Sequence, residues 1–331
     1  MSNGLLRIVV VVAALAAVPL IVTSNTVLNF LIVALMIALV GQGWNVLGGY
    51  GGQYSFGHAA FFGTGAYVTA ILQVRSGVNA WAGFALGIAA GALVGAAIGY
   101  LTFRTGLRGS YFALVTLAFA EVFRIIASVA PITGAGVGTL IKLDLRPEVF
   151  QFQSRAAFYW VLLALVAVSL LTVHAIAHTR FGARLVAVRE NEEAAAALGV
   201  DAVRVKLAAM TVSAAIAAAG GGFYAQYFLF VDAGIAYGPW ISVEALLTAI
   251  IGGVGTVFGP LLGALVVKTL GEIAKLLTGD APGLDLVIYG AVLILVVRFA
   301  PHGIVGALAD ARTWIVGRIR PRMVPEGKAN G

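Results

Sequence analysis

Long apolar runs constrain this chain more than any other feature. Ten runs lie at 5–22, 27–46, 56–73, 80–102, 111–130, 156–177, 207–228, 243–252, 260–277 and 284–300. An α-helix rises 1.5 Å per residue, so about 20 apolar residues cross the hydrocarbon core of a bilayer. Only 11% of the residues are charged, where about 25% is usual in a soluble domain. We therefore predict an all-α, polytopic integral membrane protein, with residues 1–331 forming one transmembrane domain.

The number of spans is open in two places. The run 56–73 contains three glycines and a histidine, and the stretch 243–277 is interrupted by two glycine-rich segments, 252–255 and 259–260. We predict ten spans, with nine and eight as alternatives. The first run resembles a signal peptide in part, but a second spanning run follows almost at once, which favours an uncleaved helix.

Basic residues predict the orientation, because Lys and Arg concentrate in short cytoplasmic loops. Segment 178–206 and the tail 301–331 are both rich in Lys and Arg, and loop 103–110 contains two arginines. Ten spans place all three on one side, whereas loop 229–242, which has no Lys or Arg, lies opposite. Loop 131–155 is the exception to this pattern. We predict that both termini are cytoplasmic, and we interpret the net charge of +7 as orientation rather than nucleic-acid binding.

The long hydrophilic segment 178–206 contains a predicted short helix on the cytoplasmic face. Residues from Glu190 to Leu198 are strong helix formers, and acidic residues crowd the beginning of this stretch, where they complement the helix dipole. Gly199 stands where a C-terminal glycine ends a helix. From these residues alone, the segment is either a docking helix for a partner or an ordinary connecting helix.

A family resemblance bears on this choice. Glu193-Ala194-Ala195, followed after three residues by Gly199, resembles the EAA motif of ATP-binding-cassette (ABC) importer permeases. The surrounding segment, with Arg189-Glu190, is similar to the matching loop of branched-chain amino acid permeases, and the longer of their two permease subunits is the most similar. Three other stretches share the likeness: 48–63, 107–113 and 252–260.

The resemblance implies a permease subunit of an ABC importer for branched-chain or related hydrophobic amino acids, in the bacterial inner (plasma) membrane. It implies two cytoplasmic ATPase subunits, a second permease subunit and a periplasmic or surface-bound substrate-binding protein as partners. The chain itself would be no enzyme and would need no cofactor. The residues implied in ATPase coupling are Arg189, Glu190, Glu193, Ala194, Ala195 and Gly199.

Polar residues inside spans are candidates for the translocation path, because they are costly in lipid. The densest set lies in a glycine-rich stretch, where an interrupted helix would free backbone groups to meet a ligand. The alternative is helix–helix packing, in which the same residue types are common. The predicted path residues are Asn45, Gln53, Ser55, Gly57, His58 and Gly63.

Other charged residues within the runs carry less information. Glu121 and Arg124 lie three apart on one helix and are interpreted as a structural ion pair. Glu244 and Lys268 remain unassigned. The glycine cluster at 48–51 has a counterpart at 252–255, each followed by Phe-Gly, which hints at an internal duplication.

Other functions place different demands on the sequence. A urea or short-amide importer and an aromatic-acid importer share the same architecture, and an ion-coupled secondary carrier would need buried mid-span acids, for which only Glu121 and Glu244 qualify. An intramembrane enzyme would need a paired catalytic constellation, and none is present in the sequence.

The chain has no cysteine and four scattered histidines, so a metal site is not expected. Gly263 followed by Lys268-Thr269 resembles the phosphate-binding P-loop of ATPases, but the glycine that should stand directly before the lysine is absent. The energy for transport must therefore come from a partner protein or from an ion gradient.

Overall fold

A computed structural model describes residues 2–278, 287, 288, 290, 291, 294, 298 and 303–307. The structure is 82% helical. The helices are α1 Ser2–Ile21, α2 Asn25–Trp44, α3 His58–Ser76, α4 Ala80–Arg104, α5 Gly109–Val129, α6 Arg155–His178, α7 Arg180–Glu190, α8 Glu192–Ala197, α9 Ala202–Phe228, α10 Ala233–Ala236, α11 Pro239–Gly252 and α12 Gly259–Thr278. A π-helical turn, Asn45–Tyr50, extends α2. Strands β1 Thr139–Leu140 and β2 Phe230–Val231 pair antiparallel.

The helices confirm an all-α membrane protein. Within the described residues, seven helical segments are long and apolar enough to cross a membrane: Gly4–Ile21, Asn25–Tyr50, Ala80–Arg104, Gly109–Val129, Arg155–His178, Ala202–Phe228 and Ala233–Gly252. Helices α3 and α12 have 19 and 20 residues, but α12 carries three charged side chains. The predicted span 284–300 and the tail 301–331 lie largely outside the described residues. The count of ten spans therefore stays a prediction.

A stripe of glycines on α4 builds the centre of the bundle. Five glycines recur at every fourth residue from Gly83 to Gly99, so they share one face of the helix. A Cβ added at Gly91 would lie 2.3 Å from the Cβ of Ala218, and one at Gly87 would lie 2.8 Å from the carbonyl oxygen of Gly65. Small residues at such spacing let helix backbones approach closely in a membrane. Here they bring α4 against α3 and α9.

The loops separate into two groups at opposite ends of the bundle. At one end, which we call the loop end, β1 from segment 130–154 pairs with β2, and the Arg155 side chain donates to the carbonyl oxygen of Asn25 at the beginning of α2. At the other, the coupling end, the segment joining α2 to α3 meets α7 and the loop between α11 and α12. The α4–α5 loop also lies at the coupling end, through an Arg108–Glu192 ion pair. Successive loops thus alternate between the two ends, as they must when each helix crosses the membrane once.

Candidate functional site

The predicted cytoplasmic helix is present as α8, with both of its ends capped. It begins at Glu192, two residues later than predicted from Glu190, because Asn191 adopts an extended backbone and its side chain accepts a hydrogen bond from the Ala194 N–H at 2.9 Å. Gly199 has a φ of +82°, the left-handed conformation of a C-terminal glycine. The predicted role of Gly199 in ending the helix is confirmed.

Buried charges hold α8 against the membrane helices. The Lys206 ammonium on α9 donates to the Glu192 carboxylate at 2.7 Å, and Arg108 approaches the same carboxylate at 3.2 Å. Ala195 is the buried residue of α8 and lies on its inner face. The sequence interpretation missed Lys206 and Glu192, although a lysine at the beginning of an apolar run was the available signal. One carboxylate therefore links α8 to the beginning of α9 and to the loop before α5.

The opposite face of α8 is free in this chain and partly apolar. The side chains of Glu193, Ala194 and Ala197 are exposed, and Leu198 has 86% of its surface exposed. Leu198 thus adds one large aliphatic side chain to a face otherwise made of alanines and Glu193. Together the small alanines and the exposed leucine form a surface suited to close contact with a partner.

Arg189 connects this segment to the interior of the bundle. Its Nη1 donates to the carbonyl oxygen of Gly49 at 2.8 Å, while Nη2 pairs with Glu190 at 2.5 Å. Its aliphatic stem covers Gly52, where an added Cβ would lie 2.4 Å from the Arg189 Cγ. The structure thus joins a predicted coupling residue to the glycine-rich stretch predicted to line the path.

The helix through that stretch is interrupted, as the glycines indicated. After α2 the chain forms the π-helical turn, leaves helical structure beyond Tyr50 and resumes only at His58. The Asn45 side chain donates to the Thr256 carbonyl and accepts from the Gly255 N–H, at 2.9 and 2.8 Å. An added Cβ at Gly49 would lie 2.7 Å from the Gly255 nitrogen, so the two similar glycine clusters pack against each other.

The polar side chains in and just after the break are buried or half-buried, and two of their atoms, Gln53 Oε1 and His58 Nδ1, have no hydrogen-bond partner among the described residues. His58 Nε2 lies 2.8 Å from the Ser213 Oγ, which donates to the Gly43 carbonyl at 2.6 Å. Ser55 Oγ accepts from the Gly57 N–H at 3.1 Å, and Gln53 lies near the Gly51 carbonyl at the long distance of 3.4 Å.

The two glycines of the predicted path are equally confined. An added Cβ at Gly57 would meet the Thr116 carbonyl oxygen at 2.5 Å, and one at Gly63 would meet the Tyr237 ring at 2.3 Å. In this conformation the predicted path residues are packed against their neighbours, so their role in transport stays a prediction.

A cavity near the loop end was not anticipated from the sequence. It has a volume of about 600 Å³ and lies between α2, α11 and α12, and none of the six predicted path residues lines it. Inside it, Lys268 Nζ pairs with both carboxylate oxygens of Glu244 at 2.8 and 2.7 Å. The two charges were visible in the sequence, but their separation of 24 residues gave no indication that they pair. The Glu121–Arg124 pair on α5 is confirmed, at 2.5 Å.

The comparisons with known proteins agree on one family. The family model described as branched-chain amino acid transport system / permease component matches residues 26–297. The high-affinity branched-chain amino acid transport system permease protein LivM of Escherichia coli K12 is 28% identical, over 90% of this chain and 74% of its own length. The LivM of Salmonella typhimurium is also 28% identical, over 80% and 67%. LivH of Escherichia coli K12 is 24% identical, over 81% and 91%. No solved structure matches this chain significantly.

Proposed function

Because this chain belongs to the branched-chain amino acid permease family of ABC importers, we propose that it carries branched-chain or related hydrophobic amino acids across the bacterial inner membrane. It does so as one permease subunit, and ATP hydrolysis takes place on other chains. The substrate is the one named for its relatives LivM and LivH. The single observation that carries the proposal for this chain is the capped α8 with its exposed apolar face.

The surface of α8 is the proposed ATPase contact. A docking helix needs a fixed orientation, which the Asn191 cap, the left-handed Gly199 and the Glu192–Lys206 pair supply. It also needs an accessible face, which Glu193, Ala194 and Leu198 supply.

The proposed route of coupling runs through Arg189. Movement of α8 and α7 would pull on the Gly49 carbonyl, at the break between α2 and α3. That break holds the proposed path residues Asn45, Gln53, Ser55, Gly57, His58 and Gly63, so an event at the ATPase would reach the path directly.

The assembly proposed is that of the family: two ATPase subunits, a second permease subunit, and a binding protein that delivers the amino acid. The proposed topology has ten spans, with both termini and α8 in the cytoplasm and the β1–β2 loops outside. The loop grouping supports this arrangement, because α8 lies at the end of the bundle opposite the β1–β2 sheet.

The docking proposal is tested by two substitutions in reconstituted vesicles that contain the complete complex. Gly199→Leu forces a side chain into a left-handed backbone, and Glu193→Lys reverses a charge on the exposed face. Both should abolish ATP-dependent L-leucine uptake while the chain still inserts into the membrane. Gly106→Leu, also at a positive φ with no atom within 4 Å of an added Cβ, is the matched control. Normal uptake by the Gly199→Leu variant would contradict the docking role.

Single cysteines test the orientation, because the chain has none of its own. Ala194→Cys on the exposed face of α8 should react only with thiol reagents that enter the cytoplasm. Gly234→Cys, at the loop end, should react from outside. Labelling of Ala194→Cys by an impermeant external reagent would overturn the topology. Leucine uptake that persists without ATP but follows an ion gradient would favour a secondary carrier instead.

A further inference from the structure

We propose that the cavity between α2, α11 and α12 is a binding site for the zwitterionic group of a hydrophobic amino acid, with Glu244 and Lys268 as its ionic contacts. The inference rests on the proposed transport function, and it assigns substrate contacts that are distinct from the glycine-rich break.

The position of the cavity suits substrate arrival. Thr26 and Val27, in the first turn of α2, line it together with Phe228 at the end of α9. This is the end of α2 at which Arg155 contacts Asn25, opposite the coupling segment. The volume of about 600 Å³ lies within the range of roughly 300–1,000 Å³ found for small-molecule sites. An amino acid released by a binding protein would reach this cavity before it met the closed break between α2 and α3.

The ion pair is expensive as a purely structural device. The side chains of Glu244 and Lys268 are only 10% and 16% exposed, and the helices that carry them, α11 and α12, pack against each other and against α2. Removing two charges from water costs more than a moderate ion pair returns, and an apolar pair of the same size would often be more stable. Ionisable residues within membrane segments therefore point to function. Because Glu244 and Lys268 line the cavity, a ligand in it could contact both side chains.

An amino acid can exchange with this pair without leaving a charge unpaired. Its carboxylate would accept from the Lys268 ammonium, and its ammonium would donate to the Glu244 carboxylate, as the two side chains now do with each other. A molecule with only a carboxylate, or only an amine, would pair one side chain and leave the other buried and uncompensated. The arrangement therefore selects zwitterions. Because each new contact replaces an existing one, binding is weak enough for release.

The remaining wall fits an apolar side chain. On α2, Val27, Phe30 and Val33 line the cavity along one face of the helix, beside the polar Thr26 and Asn29, and Phe228 adds an aromatic ring. At the rim, Glu272 and Lys275 form a looser pair at 3.5 Å. Lys268, Glu272 and Lys275 share one face of α12, so the charged wall continues from the rim to the deep pair. The charged residues of α11 and α12 would therefore meet the ionic group, while the apolar residues of α2 and Phe228 would meet the hydrocarbon.

The test uses a reporter cysteine in the otherwise intact complex. Val33→Cys places a thiol on the apolar wall, in a chain that has no other cysteine. An excess of free L-leucine should slow its reaction with an impermeant thiol reagent by about tenfold or more, whereas 4-methylpentanoate and 3-methylbutylamine should slow it little, since each lacks one charge. Equal protection by the acid or the amine would overturn the proposal, as would no protection by leucine.

Paired substitutions then locate the charges. In the Val33→Cys background, the Glu244→Gln/Lys268→Gln variant should keep the thiol reactive but lose the protection by leucine. The matched control is Glu121→Gln/Arg124→Gln, which removes an exposed pair on α5 outside the cavity and should keep the protection. Protection that survives in the double Gln variant would overturn the role of the pair. If that variant does not assemble, the comparison of L-leucine, 4-methylpentanoate and 3-methylbutylamine in the Val33→Cys protein, which keeps Glu244 and Lys268, decides whether the proposal holds.

The two proposals fail in different ways. If the wild-type complex takes up L-leucine with ATP but leucine does not protect Val33→Cys, the cavity assignment alone is wrong. If the wild-type complex takes up no leucine, the proposed substrate is wrong, and the reporter cysteine still shows which charges the cavity accepts.

Discussion

The two ends of the helix bundle treat polar groups in opposite ways. At the coupling end, Asn45, His58 and Ser213 are fully buried, and the glycines around them leave no room for a Cβ. Near the loop end, Glu244 and Lys268 face a cavity of about 600 Å³. The first region is closed by backbone contact, whereas the second leaves a cavity lined by a paired glutamate and lysine. The described residues therefore pack tightly at the end near α8 and leave a cavity near the opposite end.

The sharpest way to break this contrast is to enlarge a glycine where the closed end is tightest. In Gly49→Val the new side chain would meet the backbone nitrogen of Gly255 at 2.7 Å, and backbone atoms cannot rotate away. We expect assembly of the complex or leucine uptake to be lost, since overpacking a well-packed site costs about 1–3 kcal/mol or more. Size-exclusion profiles and uptake measure both outcomes.

Gly136→Val is the matched control for this substitution. It lies in the long α5–α6 loop, and no atom lies within 4 Å of its added Cβ. A Gly49→Val protein that assembles and transports as well as Gly136→Val would show that the closed end is not packed as described.

The next effect concerns the hydrogen bonds of the closed end. His58→Leu removes one of the two hydrogen bonds of the Ser213 hydroxyl, which keeps its bond to the Gly43 carbonyl, and the loss of a hydrogen bond costs about 0.5–1.5 kcal/mol. We expect a lower midpoint of thermal unfolding in detergent, together with a maximal uptake rate that falls more than the apparent affinity does. Ser55→Leu should act in the same direction.

Thr172→Ala serves as its control, because that hydroxyl is exposed and bonds only its own helix, through the Val168 carbonyl. Unchanged maximal rates for both His58→Leu and Ser55→Leu would return this stretch to plain helix packing.

Thiol accessibility compares the two regions within one conformational cycle. With the ATPases idle, Val27→Cys should react quickly with an external reagent, because Val27 lines the open cavity. Ser55→Cys should react slowly, because Ser55 is fully buried. Trapping the ATPases in a nucleotide-bound state should narrow the difference, since the closed end must open at some stage of transport. Equal rates in the idle state would contradict the contrast.

The smallest expected effect lies in the loop outside the bundle. The Arg146 guanidinium hydrogen-bonds to Asp144 and lowers the pKa of that carboxyl below its ordinary value. When a carboxyl has a lower pKa in the folded protein than in the unfolded chain, its charged form stabilises the fold at any pH above the unfolded-state pKa. This stabilisation is lost as the pH falls through the folded-state pKa. Asp144→Asn should therefore cost slight thermal stability at neutral pH and none at strongly acidic pH. A larger loss in acid than at neutral pH would refute the pairing.

The sequence was most informative where one physical signal acted alone. Apolar length predicted the spanning helices, and the left-handed glycine and the acidic first turn predicted α8. The beginning of α8 was misplaced by two residues because Asn191, a good cap, lies inside a run of helix formers. The glycines from Gly48 to Gly65 predicted an interrupted helix, since their low helix propensity is a local property. The interruption lies between Tyr50 and His58, whereas α3 runs unbroken through Gly63 and Gly65, where the prediction was wrong.

Long-range pairings were beyond the sequence. Glu244 lies on α11 and Lys268 on α12, so only the packing of those helices brings the charges together. The Arg189 contact was equally hidden, because its acceptor is a backbone carbonyl that every residue type offers. The four-residue glycine period of α4, by contrast, was present in the sequence and could have predicted close helix packing.

That same carbonyl contact has a consequence for genetics. Arg189 donates to the Gly49 oxygen, an atom that every substitution at position 49 would retain. A mutational scan of position 49 therefore tests how large a side chain fits there, and it does not test the hydrogen bond to α7. Only one partner of this hydrogen bond, the Arg189 guanidinium, belongs to a side chain and can be removed by substitution. Only changes at Arg189, such as Arg189→Lys and Arg189→Gln, can show whether the two parts of the molecule communicate there.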